Sequence, residues 1–215
     1  MTYLELVNDV LVRLREETVS TVSETTYSSL IGKFVNDAKR AIEDAYEWNI
    51  LGTTVVVSTV AGTSSYSLTG AGQKFRVQDV INDTANNGMT NIPFANMNRF
   101  LNFGNPSNAT PTYYAFDGVD ASYDTKVTLF PVPDGVYTLK FSLIVPQATL
   151  SSDSTVVLMP SELIVQNAYA RALVERGEDG GLSSSEAYLL YKSMLSDYIA
   201  MEATRYPEFG TFEAV

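Results

Sequence analysis

The sequence predicts an α+β protein: a helical bundle built from N- and C-terminal helices, with an antiparallel β domain inserted between them. Three observations carry this expectation. Tyr27, Leu30, Ile31, Phe34, Val35, Ala38, Ala41, Ile42 and Ala45 recur at three- and four-residue steps, the period of one helical face. Tyr137, Leu139, Phe141, Leu143 and Val145 alternate with Thr138, Lys140 and Ser142, the period of two that puts successive side chains on opposite faces of a strand. The other helical patterns lie at the two ends of the chain, with β-type sequence between them. The predicted division is therefore residues 1–52 plus 156–205 for the helices, 53–155 for the β domain, and 206–215 for a C-terminal arm.

Each element has a local reason. Thr2 and Glu5 fit a capping box, in which the hydroxyl and the carboxylate each take an otherwise unpaired helix amide. Tyr3, Val7, Val10, Leu11 and Leu14 then form a stripe, so the first helix runs to about Arg15. Residues 16–23 are polar and β-branched and read as a connection. Ser23 or Thr25 caps the second helix, with Glu24 near its positive end. On that helix Asp37, Arg40, Glu43, Asp44 and Glu47 mix signs, the pattern of a solvated face. Trp48, the only tryptophan, follows, and Gly52 stops the helical pattern.

Thr53 to Val60 is mostly β-branched, and Ala61-Gly62-Thr63 is expected to turn it into Ser64–Leu68 as a hairpin. A strand is expected over Phe75–Asn82, a turn over Asp83–Gly88, and a short helix is allowed between Ile92 and Phe103. Tyr113–Phe116, Lys126–Phe130 and Val136–Val145 read as strands, with turns marked by Asp117-Gly118 and Asp134-Gly135. A serine-rich loop covers 146–155. Met159-Pro160-Ser161-Glu162 opens a third helix to about Arg176, with proline and glutamate in favoured places. Its apolar arc is broad, so it should be the most buried helix. Gly177–Gly181 breaks it. Ser183 and Glu186 can box the fourth helix, whose apolar positions are Ala187, Leu190, Tyr191, Met194, Leu195, Tyr198 and Ile199, ending near Arg205.

Composition narrows the chemistry. The 215 residues carry a formal charge of −11, which opposes a broad grip on nucleic-acid phosphates but not the passage of DNA without binding. There is no cysteine and no histidine, so thiolate nucleophiles, disulfides, imidazole bases and their metal sites are absent. No apolar run approaches the length of a bilayer span, and the N-terminus lacks a basic-then-apolar leader pattern; neither a membrane-embedded nor a signal-secreted protein is expected. Asp117, Asp120 and Asp124 cluster near a turn but miss the spacing of a calcium loop. The glycine turns at 61–64 and 70–72 are not phosphate loops, since neither leads into Gly-Lys-Ser/Thr at a helix start. No catalytic residue, cofactor site or metal site is assigned. Trp48 at the end of an apolar stripe is expected in the core. Tyr206, Phe209 and Phe212 have no helical period and are interleaved with Pro207 and Gly210; they read as an extended arm that docks on another subunit.

Three blocks carry a resemblance. The first is Leu4-Glu5-Leu6-Val7-Asn8-Asp9-Val10-Leu11-Val12-Arg13-Leu14. The second is Phe34-Val35-Asn36-Asp37-Ala38-Lys39-Arg40-Ala41-Ile42-Glu43, followed by Trp48 and Val60-Ala61-Gly62-Thr63-Ser64-Ser65-Tyr66-Ser67-Leu68. The third is Leu129-Phe130-Pro131-Val132-Pro133-Asp134-Gly135, then Leu158-Met159-Pro160 and the two terminal helices. Their order resembles the head-to-tail adaptor proteins (head-completion or tail tubular A-type) of short-tailed bacteriophages and related phages. The resemblance implies a helical bundle with an inserted β domain and a structural virion role. It implies a homo-oligomeric ring, usually a dodecamer, below the portal protein, receiving the tail nozzle protein and forming part of the DNA conduit. Such a protein sits in the virion neck after assembly in the host cytoplasm. The competing readings are a virion-associated cell-wall hydrolase, suggested by the many carboxylates, and a host-receptor or tail-fibre attachment module, suggested by the β domain and its polar loops.

Overall fold

The structure is a computed structural model and describes residues 1–103, 107–177 and 182–205. The chain divides into two compact units. One comprises Met1–Ile50 together with the chain from Gln147 onward, and the other is Leu51–Pro146.

The helical unit holds α1 (Tyr3–Arg13), α2 (Thr26–Ala45), α4 (Ser161–Arg176) and α5 (Leu182–Arg205). The Thr2–Glu5 capping box is present, with Thr2 N donating to Glu5 Oε2 at 2.8 Å and Glu5 N to Thr2 Oγ1 at 3.3 Å. Leu14 caps the helix and Arg15 turns to φ 60°, so α1 stops two residues before the sequence suggests. Thr25, not Ser23, caps α2 and exchanges hydrogen bonds with Ser28. α4 is the inner helix: Leu163, Ile164, Val165, Ala168 and Ala172 are fully buried, and it packs on α1, α2 and α5. Gly177 ends it in the left-handed conformation that a residue without Cβ adopts freely. Arg176 ties that end to its neighbours. Its Nε donates to Tyr27 Oη at 2.8 Å, one terminal nitrogen donates to Leu14 O, and the other pairs with Glu16.

Two expectations for these helices are corrected. α5 is already helical at Leu182, so Ser183 lies inside it instead of capping it. Leu190 is 53% exposed, because Ala187, Tyr191 and Leu195 take the inward positions.

The β unit has two four-stranded sheets. One has the order β1 (Gly52–Ser58), β8 (Thr138–Ile144), β3 (Arg76–Asn82), β4 (Asn87–Gly88). The other has the order β2 (Ser65–Ser67), β7 (Thr125–Phe130), β6 (Tyr113–Val119), β5 (Thr90–Asn91). All pairings are antiparallel except β5 with β6. The alternating strand β8 is central to its sheet and sends Leu139, Phe141 and Leu143, all at 0% exposure, into a core with Leu68, Val127 and Leu129. Tyr114 meets Phe141 edge to face at 5.8 Å.

The expected hairpin of 53–60 with 64–68 does not form. β1 pairs with β8 from Gly52↔Ile144 to Ser58↔Thr138, while β2 pairs with β7 in the other sheet. Between them the chain crosses from sheet to sheet. Thr59 holds the crossing with bonds to Tyr137 O and Gly135 O, and the Tyr66 hydroxyl takes the amide of Val60. Asp117-Gly118 is likewise not a turn. It is an irregularity within β6, where the register shifts between Phe116 and Val119, and the turn proper follows at 120–124. The segment between Ile92 and Phe103 does contain a helix, α3 (Phe94–Asn102).

Candidate docking surfaces

Acid–base chemistry needs titratable groups that can reach a substrate. The most conspicuous such pair is Lys39 with Glu43 on α2, and it overturns the reading of Glu43 as part of a solvated face. Both side chains are 1% exposed, and Lys39 Nζ lies 3.0 and 3.1 Å from the two carboxylate oxygens. The pair is buried because the chain returning from the β unit lies across it. Lys39 donates to Gln147 O and the Gln147 amide donates to Glu43 Oε1 at 3.1 Å. One turn earlier on the same face, Asn36 does the same for Leu150, accepting its amide at 2.8 Å and donating to its carbonyl at 3.1 Å. A polar stripe at positions 36, 39 and 43 therefore clamps the backbone of 147–150. Its donors and acceptors face one another, which makes it a fastening instead of a reactive centre. This also explains why 147–150 belongs with the helices.

The aspartates of the β unit are similarly engaged. Asp120 caps its own turn by accepting from the amides of Ser122 and Asp124. Hydrogen bonding, first from the Ser67 side chain and then from the Asp124 amide, holds its carboxyl below the ordinary range. Asp124 accepts the Gly72 amide, and Asp117 sits 3.9 Å from Lys126 Nζ. Among the described residues no group of three acids could hold a metal ion.

Trp48 is 2% exposed and its indole donates to Ile42 O at 2.7 Å, so it closes the last turn of α2 as a core residue. Its edge also lines a cleft of about 350 Å³ with Ile50, Leu158, Tyr198 and Met201, and Arg205 stands at its wall. Met201, Ile50 and Leu158 are exposed there. The Tyr198 hydroxyl reaches Glu162 at 3.2 Å, and burial followed by that carboxylate pushes its pKa up. Tyr206, Phe209 and Phe212, the residues the sequence assigns to docking, lie outside the described residues.

A second surface was only hinted at in the sequence. α3 lies on β6 and β7 and has Met97 fully buried, while Phe94, Phe100 and Phe103 are exposed by 38, 42 and 75%. Phe100 stacks at 5.1 Å on Phe130 and 6.1 Å on Tyr113. The aromatic patch is thus rooted in the sheet instead of hanging from a loop. The signal available in the sequence was the density of phenylalanine between 94 and 103, which an uncertain secondary structure obscured.

These surfaces suit contact more than catalysis. Among the described residues no helix is long and apolar enough to cross a membrane. A comparison with curated proteins finds no match. The profile of the SU10 adaptor protein family, by contrast, matches residues 1–210. With so nearly complete a match, this chain belongs to the SU10 adaptor protein family, phage adaptors whose role in the virion is structural.

Proposed function

We propose that this chain is a subunit of the ring that joins the phage head to its tail, bound to the portal protein on one side and receiving the tail nozzle on the other. The observation that carries this reading is the adaptor-family match over residues 1–210. The ring is a dodecamer in the virion neck, assembled in the bacterial host, and its lumen forms part of the DNA conduit. The charge of −11 supports the conduit, because an acidic wall repels phosphate and lets the genome pass without sticking. Residues 206–215 act as the docking arm, with Tyr206, Phe209 and Phe212 supplying apolar contact to the portal or a neighbouring copy.

The test is to mix the purified chain with its portal and follow the mixture by sedimentation and cryo-microscopy. A stoichiometric ring on the portal is expected. A chain that ignores its portal overturns the proposal. Peptidoglycan zymography separates the hydrolase reading: an adaptor gives no clearing zone.

A further inference from the structure

We infer that the aromatic face of α3 is the contact by which one copy of this chain grips the next; the inference rests on the ring reading above. Copies of a chain carrying −11 repel one another, and association requires a face on which that repulsion is lowest. The sequence supplies one. Residues 84–116 contain a single charged side chain, Arg99, and no carboxylate, although the chain as a whole has 25 acidic residues. Within that stretch lies α3, with Phe94 and Phe100 partly exposed, Phe103 exposed just beyond its end, and Arg99 exposed among them. Exposed aromatics with an arginine and without acids have the composition of a protein–protein interface core.

The chemistry also selects the occupant. One arginine is too few for DNA, whose binding rests on neutralising several phosphates. An acidic protein surface is the complement of a lone cation set in an uncharged aromatic field, and among the described residues of this acidic chain Glu43 is the only buried carboxylate. A closed ring is made of head-to-tail contacts, in which a patch meets a different patch on the next copy. The α3 face of one copy therefore meets an acid-bearing face of its neighbour, not another α3. Phe100 and its support from Phe130 and Tyr113 provide the rigid anchor, and Arg99 provides the register.

The experiment replaces Phe103 in the full chain by the photoreactive analogue benzoylphenylalanine and irradiates assembled particles. The expected adduct has about twice the chain's 23.6 kDa, with both cross-linked peptides from this sequence. An adduct containing a different virion protein overturns the inference. So does the absence of any adduct in particles that sedimentation shows to hold rings, and in that case the ring reading survives. Particles containing only single copies refute both. Arg99→Glu, on an exposed side chain, tests the charge argument without burdening the fold: assembly should weaken at least tenfold, and unchanged assembly counts against the inference.

Discussion

Removing Lys39 tests the central energetic claim about the helical unit. In Lys39→Met the apolar stem is kept and the ammonium is lost. Buried Glu43 then retains, among the described residues, only the Gln147 amide as a donor, and Gln147 O loses the Lys39 ammonium. Breaking a buried pair from one side costs about 3–5 kcal/mol, since the surviving charge stays desolvated without its counter-charge. Trp48 lies in the helical unit and is the only tryptophan, so urea titration followed by its fluorescence reads that unit and is not confused by the β unit. The midpoint should fall by the equivalent of those 3–5 kcal/mol with little change in slope. The double variant Lys39→Met, Glu43→Met removes both charges and should lose less than the sum of the two single variants, by more than about 1 kcal/mol. Part of the loss should remain, because the backbone of Gln147 is left without partners. A single variant within about 0.5 kcal/mol of the parent, the ordinary range of surface substitutions, would refute the claim that the pair is a desolvated fastening.

Gly32→Ala should destabilise α2 despite the better helix propensity of alanine, since the new Cβ would lie 2.7 Å from Val22 Cγ1 and against the Tyr3 hydroxyl. Overpacking costs of about 1–3 kcal/mol exceed the roughly 1 kcal/mol of propensity gained, and thermal melts measure the net sign. Phe141→Ala, at a fully buried position, should cost about 3–5 kcal/mol, while Phe34→Ala should cost less because Phe34 is only half-buried; chemical denaturation ranks the two. The depressed carboxyl of Asp120 contributes stability that is present above the ordinary aspartate range and lost as pH falls through its lower folded value. Asp120→Asn should therefore flatten the acid limb of the β unit's pH–stability curve. Deleting residues 206–215 should leave the circular dichroism of the helices intact and reduce portal binding; lost helicity in the truncated monomer would refute an arm used only for docking.

Much of the local structure was legible because its causes are local. The Thr2–Glu5 box needs residues three apart, the β8 alternation needs only a pleat, and Pro160 and Gly177 act on their own backbone. Pairing was not legible. Ala61-Gly62-Thr63 carries the composition of a hairpin turn, yet β1 found in β8 an apolar partner far along the chain, from Gly52↔Ile144 to Ser58↔Thr138, and left β2 to the other sheet. Of the α2 residues expected on a solvated face, Glu43 alone is buried, and for the same reason. Glu43, like Asn36 and Lys39 beside it, meets its partners only when residues 147–150 arrive from over a hundred positions along the chain. The aromatic surface at α3 likewise depends on the fold, which sets Phe100 against Phe130 and Tyr113 and leaves Phe94 and Phe103 exposed.

The sequence by itself determined that helices lie at the two ends of the chain with strands between them, the acidic character, and the absence of thiol and imidazole chemistry, because these depend on neighbours in the chain or on composition. The tertiary structure decided which strands share a sheet, which charges are buried and which aromatics stand exposed, because each depends on a partner that the fold brings from far away.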